Sequence, residues 1–416
     1  MASGILHQEI IVISSTGDLV LNVSHEEHQE ESRYRVDSGH IRRTSPYFEH
    51  LLGGAFSEAT AVHEKHRSLR DQYSSFEDVP ADELPCITVV HIGQISKVNS
   101  IEGLTADFLR VLHGLELSQP NPPVPNIANL AIVADRFDCL GVFCLYAKKK
   151  GIFRAIDARA RGKNTSEERV RQKLLVGYLL DHNPWVTKNS KHLILSGSKR
   201  WDPPAQEQED TESALWWDLP HGIEEELQYR RERVLETLSS IPLYFLHLYM
   251  SGERQCKLGY DSSLACDSFQ LGEMVRFLSR AGMLRVRSLL YDPINVTAYS
   301  GDIDRLVDSL RKCPKYQIDS NHAHCGLRSR MLPVLGWLQY WLDKDSGSPD
   351  LGLCPECFKA RRGDYAWAEA KRPLMWRRTG TLSHTGKPKH AAPADWAEFH
   401  PTGVSHIRQG CCSTSS

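Results

Sequence analysis

Long hydrophobic runs are missing from this chain of 416 residues. No stretch approaches the ~18 consecutive apolar residues of a membrane-spanning helix. The first residues also lack the basic segment and apolar run of a secretory signal. The net charge is only −2, so there is no overall electrostatic attraction to nucleic acid or to a membrane surface. These absences predict a protein of the cytoplasm, the nucleus or both, without a membrane partner.

Sequence motifs of common enzymes are missing as well. The chain has no Walker phosphate loop, no Gly-x-Gly-x-x-Gly after a strand, no His-Glu-x-x-His and no Gly-x-Ser-x-Gly. Cys325 follows His322 and His324, but residues so close in sequence rarely face each other, and nothing orients the base. We therefore predict that the protein is not an enzyme and has no catalytic or cofactor-binding residues.

Apolar periodicity organises the first third of the chain. Alternation over 19–23 and around 34–36 predicts two paired strands, and 86–92 predicts a third. Helical spacing covers 41–52, with Pro46 in the first turn, and 108–112, ended by Gly114. After a proline-rich connector, Asn126 is predicted to cap the first of two further helices, over 127–137 and 140–147. Residues 57–85 between these elements are mostly polar and show no period, so we expect a surface insertion without regular structure there.

This order of elements resembles the BTB/POZ domain, in particular that of fungal BTB proteins. The resemblance lies in Ser45-Pro46-Tyr47-Phe48 ahead of a Leu-Leu pair, in Leu112-His113-Gly114, and in the run from Ala134 to Leu140. It implies a protein–protein interaction module over residues 10–150, with a homodimer formed through the first strand and first helix.

Some BTB domains also bring substrates to cullin-based ubiquitin ligases. Those domains usually carry an apolar-x-acidic signature ahead of the helix that ends here at Gly114. The residues two before Glu102 and Asp107 are Ser100 and Thr105, which depart from that signature. A cullin scaffold is a possible partner that these residues do not favour.

The second half of the chain is predicted to be mainly helical. Apolar stripes over 174–179, 234–241, 271–278, 303–310 and 332–342 define a helical domain at 165–345. Pro242 is expected to interrupt one helix, and Asp267 with Gln270 forms a capping box. Residues 346–416 hold a Cys-x-x-Cys element and a basic, partly disordered tail. The predicted fold class is α+β: a small sheet flanked by helices, followed by a mainly α-helical region.

Cysteine and histidine residues in the second half suggest a metal. Eleven cysteines in a chain without a secretory signal favour reduced thiols or metal ligands over disulfides. The spacing of Cys-x-x-Cys allows two thiolates to reach one tetrahedral zinc ion. The alternative is that these are small buried thiols and hydrogen-bonded histidines. The candidate zinc ligands are Cys313, His322, His324, Cys325, Cys354 and Cys357, with Cys256 and Cys266 as alternatives.

The sequence as a whole predicts an adaptor that associates with itself or with protein partners through the BTB-like domain, with a structural zinc ion. The alternative function is a zinc-containing, nucleic-acid-associated regulator. Its binding surface would be the Cys/His set and the basic tail, where arginines and lysines are interleaved with Trp367, Trp376 and Trp396.

Overall fold

The chain forms two compact units: residues 1–189 with 209–221, and residues 190–208 with 222–416. The computed structural model describes residues 9–25, 30–54, 56–161, 165–201, 214–259, 261–287, 290–293, 299, 301–342 and 351–359. The sequence-based division began a second domain at 165, whereas the structure places residues 165–189 in the first unit. The predicted α+β class is confirmed.

A four-stranded sheet lies in the first unit, in the order β1-β3-β2-β4. Strand β2 pairs antiparallel with β3 and parallel with β4, and β1 runs parallel to β3. Leu19, Leu21 and Val23 of β2 are buried as predicted, but Val20 between them is buried too, so the expected half-buried alternation holds only in part. The strands are β1 (Ile10–Val12), β2 (Leu19–His25), β3 (Glu30–Val36) and β4 (Cys86–Val90). Strand β1 was not predicted, and it forms one edge of the sheet.

Helices surround this sheet. The helix predicted over 41–52 is two helices, because Ser45 has an extended backbone and its hydroxyl accepts a hydrogen bond from the Phe48 N–H. Asn126 is not a cap: it lies inside a helix that Pro123 precedes. The helices are α1 (Ser38–Thr44), α2 (Pro46–Leu52), α3 (Ser57–Gln72), α4 (Ile101–Leu112), α5 (Val124–Arg136), α6 (Leu140–Lys149), α7 (Ile152–Ala160), α8 (Glu167–Leu179) and α9 (Asn183–Ser196), whose last residues belong to the second unit.

The expectation of an irregular insertion at 57–85 is wrong. Helix α3 occupies 57–72, and two short 3-10 turns follow at Phe76–Asp78 and Ala81–Glu83. One narrow stripe of α3 is buried, and His66 belongs to it with a ring Nε2 2.8 Å from the carbonyl oxygen of Asp18. Leu69 packs with three other buried apolar residues, Val20, Val79 and Leu84. The sequence hid this stripe because a long polar face surrounds it.

We predict that Leu69→Ala destabilises the protein by about 2–5 kcal/mol, since it leaves a cavity in a packed cluster. Leu145→Ala on α6 is the matched control, because Leu145 is 70% exposed and should tolerate the change. The measurement is urea unfolding of the full chain followed by circular dichroism. Equal midpoints for the two variants would mean that α3 does not dock as described.

The turn after α4 contains a histidine with both ring nitrogens engaged. His113 Nδ1 lies 2.8 Å from the Leu109 carbonyl oxygen, and its Nε2 accepts a hydrogen bond from the Asp37 N–H at 3.2 Å. The ring of His40 stacks on it at 5.1 Å. Burial lowers the pKa of His113 and His40 lowers it further, against the opposing effects of the Leu109 carbonyl and Asp37. The folded protein therefore favours the neutral ring.

A lowered folded-state pKa means that, below the unfolded value, the unfolded chain binds more protons than the folded one. We expect stability to fall as the pH drops below the unfolded histidine pKa of about 6.5 toward the lower folded value. His113→Asn should flatten this dependence, whereas His63→Asn, at an exposed position of α3, should leave it unchanged. Urea midpoints measured from about pH 7.5 to about pH 5 are the test. An unchanged slope in His113→Asn would contradict the assignment.

Helices dominate the second unit, in which α10 packs against α11 and α13, and α12 packs against α13. Pro242 does not interrupt α10, which continues from Ile223 to Met250 although a proline cannot donate a backbone hydrogen bond. A two-stranded hairpin was not predicted. The elements are α10 (Ile223–Met250), α11 (Ser263–Arg280), β5 (Leu284–Arg287), β6 (Leu290–Pro293), α12 (Ile303–Arg311), α13 (Leu327–Leu342) and α14 (Pro355–Lys359).

Two buried arginines on α10 donate hydrogen bonds to backbone carbonyl groups elsewhere in the second unit. Arg230 donates from Nη1 to the carbonyl oxygens of Leu351 and Gly352, each at 2.8 Å. Arg231 donates to the carbonyl oxygens of Ile194 and Tyr299. A guanidinium carries five donors in a fixed plane, so one side chain can satisfy several buried carbonyl groups.

Among the described helices, none combines the length and the apolar character needed to cross a membrane.

Candidate metal centre

Four buried side chains converge in the second unit. The sulfurs of Cys256, Cys266 and Cys325 and a ring nitrogen of His322 all lie within 4.8 Å of one another. The Nδ1 atom of His322 is 3.4 Å from the Cys256 sulfur and 3.6 Å from the Cys325 sulfur. The sulfurs of Cys256 and Cys325 are 3.7 Å apart, far beyond the about 2.05 Å of a disulfide bond. This group could hold a metal ion.

Three separate segments supply these ligand atoms. Cys256 lies in the connection between α10 and α11, and Cys266 lies in the first turns of α11. His322 ends a short 3-10 turn ahead of α13, and the Cys325 N–H donates to the His322 carbonyl oxygen at 3.1 Å. This tight turn brings both side chains of His-x-x-Cys to the same side. Gly326 follows, and a Cβ atom there would meet the Tyr316 carbonyl oxygen at 2.9 Å.

Asp267 fixes the loop that carries Cys256. Its two carboxylate oxygens accept hydrogen bonds from the N–H groups of Gln255 and Cys256, each at 2.8 Å. Asp267 therefore lies inside α11 and does not cap it, so the predicted capping box is wrong. The carboxylate joins the loop to the helix one residue after Cys266.

Side chains of α10 and α13 contact the backbone on both sides of the cluster, at Cys325 and at Gln255. The Tyr249 hydroxyl donates to the Cys325 carbonyl oxygen. Arg330 lies over the Tyr249 ring, 5.2 Å from its centroid, and donates to the Gln255 carbonyl oxygen at 3.0 Å. Residues at the end of α10 and in α13 thus also hold the loop and the turn that present the ligand atoms.

The three thiols do not ionise equally. Burial raises the pKa of Cys266 and of Cys325. Burial also acts to raise the pKa of Cys256, but hydrogen bonds from Ser263, from the Leu258 backbone and from the other two thiols outweigh it and lower the pKa.

Chemically, the set resembles a structural rather than a catalytic metal site. Three sulfurs and one imidazole nitrogen are the ligands of a closed tetrahedral zinc site, in which no position is left for water or substrate. All four side chains are buried, and His322 is fully so.

The structure brings together only part of the predicted set. His322 and Cys325 belong to the group, and their companions are Cys256 and Cys266, the two predicted alternatives. Cys313 is buried elsewhere, where burial raises its pKa to about 11, and His324 is exposed. Cys354 is also buried outside the group, in the segment that Arg230 holds. The side chain of Cys357 lies outside the described residues.

Sequence spacing could not choose among these cysteines, since it does not show how α11 and α13 pack. One local signal was available: His322 and Cys325 are three residues apart, which suits a single tight turn. The supporting roles of Ser263 and Asp267 have no such signal, because serine and aspartate are common near helix starts.

Comparison with known proteins gave no match to a protein-family profile, to a curated protein or to a solved structure.

Proposed function

We propose that this chain is a protein–protein interaction adaptor. In this proposal the first unit is a BTB/POZ-like module that associates with a second copy of the chain, and structural zinc stabilises the helical second unit. The order of elements supports a BTB/POZ-like module: a strand hairpin, a helix pair, a parallel strand, a helix ending at His113-Gly114 and a closing helical hairpin. The histidine–glycine turn is of the kind that the resemblance implies, with Gly114 in the left-handed region at φ +69°.

The observation that carries self-association is the apolar edge strand β1. Its three residues are Ile10, Ile11 and Val12, and Val12 is 55% exposed. Within the described sheet β1 pairs on one side only, so its other side offers backbone N–H and C=O groups to another strand. A short uncharged strand can pair with its own copy about a two-fold axis, because both partners then present the same residues.

This assignment changes which strand mediates association. The sequence favoured the strand at 19–23, but that strand is β2, which has β3 on one side and β4 on the other. The available edges are β1 and β4. Strand β4 exposes Cys86, Thr88 and Val90, a more polar set than that of β1.

We predict that the full chain is a dimer in solution and that Val12→Asp makes it monomeric, because a carboxylate would have to be buried at the paired edge. Val90→Asp is the matched control: Val90 lies on the opposite edge strand and is 46% exposed. Light scattering after size-exclusion chromatography gives the mass of each variant. A monomeric wild type at high concentration, or equal dissociation of the two variants, would remove β1 as the interface.

The geometry of the four ligand atoms supports zinc. A tetrahedral ion with about 2.3 Å to sulfur and about 2.05 Å to nitrogen has edges of about 3.8 Å between sulfurs and about 3.6 Å between sulfur and nitrogen. The observed separations are 3.7 Å for the sulfurs of Cys256 and Cys325, and 3.4 and 3.6 Å from His322 Nδ1 to these sulfurs. The three edges that join these two sulfurs and His322 Nδ1 are therefore close to the lengths that a tetrahedral zinc site requires.

We expect about one zinc per chain in protein prepared without a metal-binding tag. The double variant Cys256→Ser and Cys325→Ser should lose the metal and much of the stability of the second unit, since metal binding energy contributes directly to folding. Cys313→Ser is the control, because this thiol is buried outside the group. Elemental analysis with thermal unfolding is the test. A metal-free wild type would mean that these are ordinary buried thiols.

The alternative of a nucleic-acid-associated regulator depends on the basic tail. Residues 360–416 lie beyond the part of the chain that the structure describes, and this alternative stays a prediction.

A further inference from the structure

His322 presents its two ring nitrogens to two different environments. Nδ1 faces the sulfurs of Cys256 and Cys325. Nε2 lies 3.1 Å from the Ser262 hydroxyl oxygen, and a carboxylate oxygen of Asp319 is 3.7 Å away. The ring therefore has a sulfur-rich side and an oxygen-rich side.

A metal needs the lone pair of one ring nitrogen, and the proton then resides on the other. On the sulfur-rich side the neighbours are the other candidate ligands. On the oxygen-rich side the Ser262 hydroxyl can accept a hydrogen bond from an N–H at 3.1 Å, and the Asp319 carboxylate, 3.7 Å away, acts through its charge. This arrangement matches the outer shell that orients metal-bound histidines, in which the second nitrogen donates to an oxygen.

Ser262 carries an independent sign of this role. It occupies the N-cap position of α11, where a serine hydroxyl normally accepts a hydrogen bond from the first turn of its own helix. Here the Ser262 side chain makes no capping hydrogen bond, and its hydroxyl lies beside His322 instead. The backbone of Ser262 is helical instead of extended, so its hydroxyl is directed at the imidazole and not at the first turn of α11.

Asp319 has a second function that keeps it in place. One of its carboxylate oxygens accepts a hydrogen bond from the Asn321 N–H at 2.8 Å and so caps the turn that ends at His322. The other oxygen is the one nearest His322 Nε2. Its negative charge favours a ring that carries its proton on that side.

We infer that His322 binds the metal through Nδ1, and that Ser262, assisted by Asp319, is the positioning residue that holds the proton on Nε2 and aims the ring. This inference rests on the proposed zinc site and adds the identity of the ligating atom and of its outer shell. On the sulfur-rich side, the hydroxyl of Ser263 contacts a candidate ligand in the same way and lies 3.4 Å from the Cys256 sulfur.

The first test identifies the ligating nitrogen directly. The full chain is loaded with the spin-half isotope of cadmium, which accepts the same ligands as zinc, and the ring protons of His322 are observed by nuclear magnetic resonance. Coordination through Nδ1 couples the metal over three bonds to Hε1 alone, whereas coordination through Nε2 couples it to both Hε1 and Hδ2. Coupling to Hε1 alone is the expected result, and coupling to Hδ2 would overturn the inference.

The second test concerns Ser262. Ser262→Ala should keep the stoichiometry of one metal but weaken zinc affinity by about 10–100-fold, measured by competition with a chelator. Ser262→Thr, which keeps the hydroxyl, should restore it. Ser268→Ala is the control, because Ser268 is an exposed serine of the same helix. A zinc affinity unchanged in Ser262→Ala would overturn the positioning role.

The outcomes separate the two levels of the proposal. A wild-type chain that binds neither zinc nor cadmium would remove both the metal site and this inference. A wild type that binds zinc as tightly as Ser262→Ala would leave the site and remove only the outer shell. If Ser262→Ala fails to fold, an unaltered affinity and spectrum in a variant with Asp319→Asn would be the result that overturns the role of the oxygen-rich side.

Discussion

Three thiols and one imidazole meet at one buried position, on which the proposed stabilisation of the second unit depends. The four ligand atoms come from segments that are far apart in sequence, from Cys256 to Cys325. Bringing such segments together costs chain entropy. Hydrogen bonds between thiols offset little of this free-energy cost, because thiols are weak donors. A metal ion would supply much more, since its binding free energy is available only when all the ligands are assembled. The centre therefore links the end of α10, the start of α11 and the turn before α13.

In the first unit, apolar packing and single polar side chains stabilise the arrangement of strands and helices. Its central strand β2 is covered by apolar side chains, and single polar groups lock the helices around it. The Ser45 hydroxyl donates to the Phe137 carbonyl oxygen at 2.7 Å, so one serine both caps α2 and holds the end of α5. The Asn129 side chain bonds to both the N–H and the carbonyl oxygen of Ser96. The side chains of Ser45 and Asn129 are thus satisfied within the unit, as burial requires. The apolar edge strand β1 lies on this framework and is the feature on which the proposed association depends.

The second unit keeps its candidate ligands and two charged side chains in its interior. The four candidate metal ligands are buried, and a closed site with four protein ligands would leave no position for a substrate. Arg230 and Arg231 of α10 satisfy backbone carbonyl groups instead of facing solvent.

The sequence by itself determined the elements whose apolar residues repeat with a clear period. Strands β2 and β4, helix α12 and the stop of α4 at Gly114 follow from local spacing, because the side chains that alternate or recur must share one face. Prediction from sequence failed in α3, where a narrow apolar stripe is surrounded by polar residues. It also failed at Pro242 and Asp267, because these residue types occur both at helix starts and inside helices. Serine, aspartate and proline each suit a helix start, but packing decided which of them begins a helix. The ligand set needed tertiary structure for a related reason. Eleven cysteines allow many groupings, and only the packing of α10, α11 and α13 places Cys256 and Cys266, rather than Cys313 and Cys354, within reach of His322.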